Sequence, residues 1–93
     1  MLVSGVNVTE VDDSTLVIYL ELPPSQVVLL QGVYELSEGI GILRTLDAER
    51  ALVCIITTPD MIGECVSVLN AVRDKIAWRE AEAPEGDFYL RKA

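Results

Sequence analysis

The sequence predicts a small two-layer α+β fold: an antiparallel sheet of four or five strands with two helices on one face. Three observations predict it. Apolar runs rich in β-branched residues are interleaved with two longer runs at helical spacing. Clusters of Pro, Gly and Asp bound the runs. The chain has 93 residues, the size of one domain.

Residues 3–11 (Val-Ser-Gly-Val-Asn-Val-Thr-Glu-Val) alternate loosely and read as a strand, and Asp12-Asp13-Ser14 reads as a turn. Residues 15–22 form the clearest strand, with Leu16, Ile18, Leu20 and Leu22 on one face and Thr15, Val17, Tyr19 and Glu21 on the other. Pro23-Pro24 stops that strand, and Pro24 suits a first helical turn. A helix follows over 25–37, with apolar positions Val27, Leu30 and Tyr34 widened by Val28, Leu29, Val33 and Leu36 into a broad stripe expected to be buried, and Gly39 as its stop. Residues 40–46 and 51–57 read as a hairpin whose turn opens on Asp47. Thr58-Pro59-Asp60 reads as the start of a second helix running to about Trp78. Residues 1–78 are then one domain. Residues 79–93 are a polar linker ending in a short strand or arm at 87–91.

The order is β-β-α-β-β-α, with a further β if 87–91 pairs. Its central part has the order of a ferredoxin-like split unit. Two segments compete for the fourth sheet position, beside strand 15–22. The N-terminal strand is favoured over the tail because its connection is short.

Composition narrows the function. The net charge is −8, from 15 acids and 7 bases, and the first base is Arg44. Phosphate backbones and anionic membranes are bound through Lys and Arg, so neither nucleic acid nor a membrane is an expected partner. No apolar run approaches the ~20 residues of a membrane span. A secretory signal needs an early positive region, and residues 1–43 have none. A cytoplasmic protein with two reduced thiols is expected.

The chain is 51% hydrophobic, with a mean hydropathy of +0.36. Strand 51–57 is apolar on both faces: Leu52, Cys54 and Ile56 on one, Val53 and Ile55 on the other. Strand 40–46 places Ile40, Ile42 and Leu46 on one face and Leu43 on the other. Helices cover only one face of a two-layer fold. The expectation is that a second subunit covers the other face or an edge, making a homodimer. The internal rival is the tail, with Phe88, Tyr89 and Leu90.

Catalytic chemistry finds little support. There is no histidine, hence no imidazole base or metal ligand. Cys54 and Cys65 form no Cys-x-x-Cys pair and read as small core residues. Gly39-Ile40-Gly41 leads into a strand, whereas phosphate loops lead into a helix. The simpler account is a helix stop followed by a close backbone approach. The acidic pairs Asp12-Asp13, Glu35 with Glu38, and Glu80 with Glu82 read as solvated surface. No enzyme activity, cofactor or metal is expected. Arg44, a charge inside an apolar strand, is the most suggestive side chain. It suits a bidentate grip on a carboxylate, from a ligand or from Glu38 or Asp47. It equally suits the solvent side of an edge strand.

Three motifs stand out: Tyr19-Leu20-Glu21-Leu22-Pro23, Glu38-Gly39, and Arg44-Thr45-Leu46-Asp47 followed by the strand Leu52–Ile56. By these motifs the chain resembles, over about residues 16–77, an uncharacterised family of small bacterial proteins with an ACT-like, ferredoxin-like fold. The wider similarity to ACT domains implies a homodimer that binds an amino acid or small metabolite where chains meet. The corresponding loop, Glu21-Leu22-Pro23-Pro24-Ser25, keeps the Pro of ACT ligand loops and lacks their Asp and Gly. Other ferredoxin-like functions fit less well. RNA recognition needs aromatic platforms and basic flanks, a copper carrier needs Cys-x-x-Cys, and an acylphosphatase needs a Gly-rich anion loop with its Arg.

The expected function is a non-enzymatic, homodimerising module with Gly39, Gly41 and Arg44 as candidate ligand-binding residues. The alternative is a subunit that docks a different protein through its apolar sheet face or edge.

Overall fold

A computed structural model describes residues 1–37 and 39–84. The elements are β1 (Leu2–Val3), β2 (Val6–Asn7), β3 (Thr9–Asp12), β4 (Thr15–Glu21), α1 (Pro24–Leu36), β5 (Ile42–Asp47), β6 (Leu52–Thr57), α2 (Ile62–Ala71) and β7 (Arg79–Glu80). The fold is α+β, and its described strand pairs are all antiparallel.

The main sheet has the order β3-β4-β6-β5, and β7 also pairs with β4. β4 and β6 are joined over their whole length, from Leu16 opposite Thr57 to Glu21 opposite Leu52. The other edge of β4 is shared. β3 pairs with its first half, and β7 with Leu20 and Glu21. The N-terminal segment therefore takes the fourth position, as expected, but only in part.

Three boundaries differ from the sequence reading, so the order is not simply β-β-α-β-β-α. First, residues 3–11 are not one strand. Ser4 and Gly5 both have positive φ, 47° and 84°, which a two-residue I′ hairpin turn demands. β1 and β2 thus form a separate small hairpin. Asn70 of α2 donates to the Ser4 carbonyl at 3.3 Å, and Val6 and Val8 enter the core.

Second, α2 is shorter than 58–78. The Met61 N–H bonds to the Thr58 carbonyl at 3.0 Å, closing a turn before the helix. After Ala71 the chain leaves the helix. The last carbonyls of a helix lack intrahelical partners, and the Trp78 indole N–H bonds to the Leu69 carbonyl at 2.8 Å. Burying Ile76 and Trp78 against the core requires that bend.

Third, Arg79–Glu80 is a strand, not linker, and the Ala81 N–H continues the pairing to the Tyr19 carbonyl at 2.9 Å. The expected strand 87–91 lies outside the described residues.

Both helices pack on one face. Leu30 and Tyr34 of α1 and Cys65, Val66 and Leu69 of α2 meet Leu16, Ile18, Leu20, Val53 and Ile55 of the sheet. Ile40 also turns into this core, opposite to the face assigned from its alternation with Ile42, because it precedes β5 in irregular chain. The Thr57 hydroxyl holds it there, donating to the Ile40 carbonyl at 2.7 Å. On the second face Val17, Tyr19 and Cys54 are buried within the single chain, with Leu46, Ile56 and Ala81 against them. The centre of that face is therefore not the large exposed surface the strand pattern suggested.

Candidate functional site

Gly39 and Gly41 lie between α1 and β5, where two shallow grooves flank the chain. One, of about 250 Å³, is lined by residues including Gln31, Tyr34, Gly39, Gly41 and Ile42. The other, of about 390 Å³, adds Ser14, Thr15, Thr57 and Thr58. Gly39 has φ +83°, and its absent Cβ would meet nothing within 4 Å. Gly41 is different: a Cβ there would sit 2.9 Å from Ile55 Cγ2 and 3.4 Å from Cys65 Sγ. Gly41 is small because the core packs onto it, which is the close backbone approach weighed above.

Arg44 lines neither groove. It is exposed on β5, an edge strand, with its Cα opposite Cys54 on the second face. The structure thus brings Gly39 and Gly41 together but does not bring Arg44 to them. Asp47, one carboxylate considered for Arg44, accepts the Glu49 and Arg50 N–H groups at 3.0 and 3.2 Å and so shapes the β5–β6 turn. Glu38, the other, lies outside the described residues.

Two ionisable groups in the interior, Tyr34 and Cys65, are held in their neutral forms. Burial raises the Tyr34 phenol well above its ordinary value. Its hydroxyl donates to the Cys65 carbonyl at 2.8 Å. Burial likewise raises the Cys65 thiol, which leaves it a poor nucleophile. Among the described residues no group of three or more His, Cys, Asp or Glu could hold a metal ion. No helix among them is long and apolar enough to cross a membrane.

The most organised polar cluster is elsewhere, at the far end of β4. The Glu21 carboxylate takes Arg50 Nη2 on one oxygen at 2.9 Å and Arg79 Nη2 on the other at 3.0 Å. Its side chain is only 20% exposed, against 60% and 78% for the arginines. Arg50 reaches it from the β5–β6 turn, and Arg79 from β7, whose partner in the sheet is Glu21 itself. These bonds, Arg50 first, hold the carboxyl below the usual carboxylate range.

Two grooves meet at this trio. One, of about 340 Å³, has apolar walls from Leu22, Pro23 and Ala77. The other, of about 460 Å³, is bordered by Glu80 and Glu82. Glu80 is oriented by the Asn7 N–H, which donates to it at 2.7 Å. One carboxylate between two guanidinium groups leaves the trio itself with one positive charge in excess, beside the carboxylates of Glu80 and Glu82. Each arginine commits one nitrogen to Glu21 and has further N–H donors in its planar fork. The arrangement is suited to hold a second carboxylate.

Sequence reasoning missed this trio. Glu21, the charge ending an otherwise apolar strand, was the available signal. Arg50 was assigned to a turn and Arg79 to a linker, and only the fold joins residues 58 positions apart.

A family model described as a domain of unknown function, DUF4911, matches residues 20–76. The chain belongs to the DUF4911 family. The matched segment of this DUF4911 chain runs from the end of β4 to just beyond α2, and so contains Glu21, Arg50, Gly39, Gly41 and Arg44 but not Arg79. No curated protein and no solved structure matches the chain.

Proposed function

We propose that this DUF4911 chain is a non-enzymatic, ACT-like module that homodimerises and binds an amino acid or closely related small metabolite. The sheet order β3-β4-β6-β5 with both helices on one face supports the ferredoxin-like part of this reading. Two buried, reduced cysteines suit a cytoplasmic setting. The neutral interior groups support binding over catalysis.

The observation that carries the ligand is the groove pair at Glu21, Arg50 and Arg79. An amino-acid zwitterion matches it part by part. Its carboxylate meets the guanidinium pair, its ammonium the Glu80 and Glu82 side, and an apolar side chain the Leu22–Pro23–Ala77 wall. This moves the ligand away from Gly39, Gly41 and Arg44.

Thermal shift followed by titration calorimetry against the common amino acids at millimolar concentration tests the reading. The expected result is saturable binding of an apolar amino acid, weakened at least tenfold by Arg50→Gln or Arg79→Gln. Absence of binding by the folded protein overturns it, as does wild-type binding by both variants.

A further inference from the structure

The outer face of α1 is unusually apolar. Val28, Leu29 and Leu36 are 73%, 57% and 88% exposed. The opposite side of the helix buries Leu30 and Tyr34. A wide apolar stripe on a helix is normally covered, and on this side of α1 it is bare, beside the exposed Gln31 and Glu35. From Leu22 to Tyr34 the sequence carries no charge at all. Gly32 stands in the middle of the bare face, and nothing lies within 4 Å of where its Cβ would be.

We propose that this face is the surface on which a second copy of the chain docks, the two α1 helices crossing antiparallel at Gly32. The proposal rests on the homodimer reading above and assigns its contact surface. Charge is the first argument. Two copies of a chain with net charge −8 repel each other over most of their surface. They approach with least opposition through a face poor in charge, and α1 carries a single acid, Glu35. A basic partner would be met by several acids rimming the apolar stripe, and α1 supplies one, Glu35, which accepts from the Gln31 amide at 3.4 Å.

Symmetry is the second argument. A two-fold contact uses the same patch on both partners. Val28 and Leu36 lie four residues either side of Gly32, one helical turn each way. An antiparallel crossing at Gly32 sets Val28 of one copy against Leu36 of the other, twice. The missing side chain at the crossing lets the helices approach closely. The sheet's second face competes poorly, because its centre is already buried. A single helix face is smaller than a standard stable interface, so a dimer that dissociates at micromolar concentration is expected.

Sedimentation velocity from low to high micromolar concentration tests this. The wild type is expected to pass from monomer to dimer. The double variant Leu29→Lys with Leu36→Lys should stay monomeric, with its melting temperature nearly unchanged. Gly32→Leu should melt higher, since leucine is the better helix former, yet dimerise at least tenfold more weakly. Gly32→Cys should oxidise to a covalent dimer, whereas Ser67→Cys on the exposed side of α2 should not.

A wild type that remains monomeric overturns both this surface and the dimer half of the proposed function. A dimer that survives the lysine pair overturns the surface alone. A different protein that co-purifies with the wild type, and is lost with the lysine pair, overturns the second copy as occupant. Ligand binding measured on the lysine variant keeps the two halves of the functional reading separate.

Discussion

The two helices lie on the same face of the same sheet, yet they meet water differently. α2 buries Cys65, Val66 and Leu69 and shows solvent Gly63, Glu64 and Ser67. α1 buries Leu30 and Tyr34 and, beside the polar Gln31 and Glu35, shows solvent Val28, Leu29 and Leu36. The inner faces do the same work. The outer faces differ in kind, and only that of α2 is finished as a surface. Apolar content that looks like surplus core in the sequence is, on α1, turned outward.

Substitutions sharpen the contrast, beginning with the most costly. Leu69→Ala on the inner side of α2 should cost about 3 kcal/mol of folding stability in urea titration, from lost burial plus the cavity left behind. Leu69 is fully buried, and a cost close to zero would mean that α2 does not dock as described.

Gly41→Ala should cost about 1–3 kcal/mol, because the new methyl meets Ile55 at 2.9 Å beside Cys65. Gly39→Ala is strained for another reason, its positive φ, and should not disturb Ile55 packing. Methyl NMR shifts at Ile55 distinguish the two.

Tyr34→Phe removes the bond by which α1 reaches the Cys65 carbonyl in α2 and should cost about 1 kcal/mol. Leu36→Ser, on the outer side of α1, should change monomer stability by no more than about 0.5 kcal/mol. A large effect there in a monomeric sample would show that α1's outer face is covered within the chain.

The smallest effect concerns pH. The Glu21 carboxyl is held below its usual range by Arg50 and Arg79. A carboxyl lowered in the folded state adds stability above its unfolded pKa, and that stability is lost as pH falls through the folded value. The melting-temperature difference between wild type and Glu21→Gln should therefore shrink as pH drops through the carboxylate range. A constant difference would show that the ion pairs are not its source.

Much of the sheet could be read directly. β4 announces itself by an unbroken apolar run of β-formers between a turn cluster and the Pro pair, α1 begins at that pair, and Asp47 marks the β5–β6 turn. What could not be read depended on contacts between distant residues. The apolar period of α2 continues through Val72 and Ile76, so nothing local ends the helix at Ala71. The Trp78 indole does, by taking the Leu69 carbonyl. Ser4 in a left-handed conformation has no sequence signature of its own, although Gly5 beside it does. At the candidate site, Gly39 and Gly41 were visible as glycines, but only the 2.9 Å approach of Ile55 shows what Gly41 is for. The cluster of Glu21, Arg50 and Arg79 exists only once β7 has joined β4.

The shared edge of β4 also bears on the sequence of events in folding. β3 reaches its half through the tight turn where Asp12 accepts the Ser14 N–H at 2.8 Å. That pairing closes a loop of a few residues and can form early. β7 reaches the other half only after the chain between Glu21 and Arg79, 58 positions apart, has been gathered in. Long closures come late, because their entropy cost precedes their contacts. Weakening β7 should therefore speed unfolding and leave the folding rate almost untouched. One sheet edge would thus record both the first and the last steps of assembly.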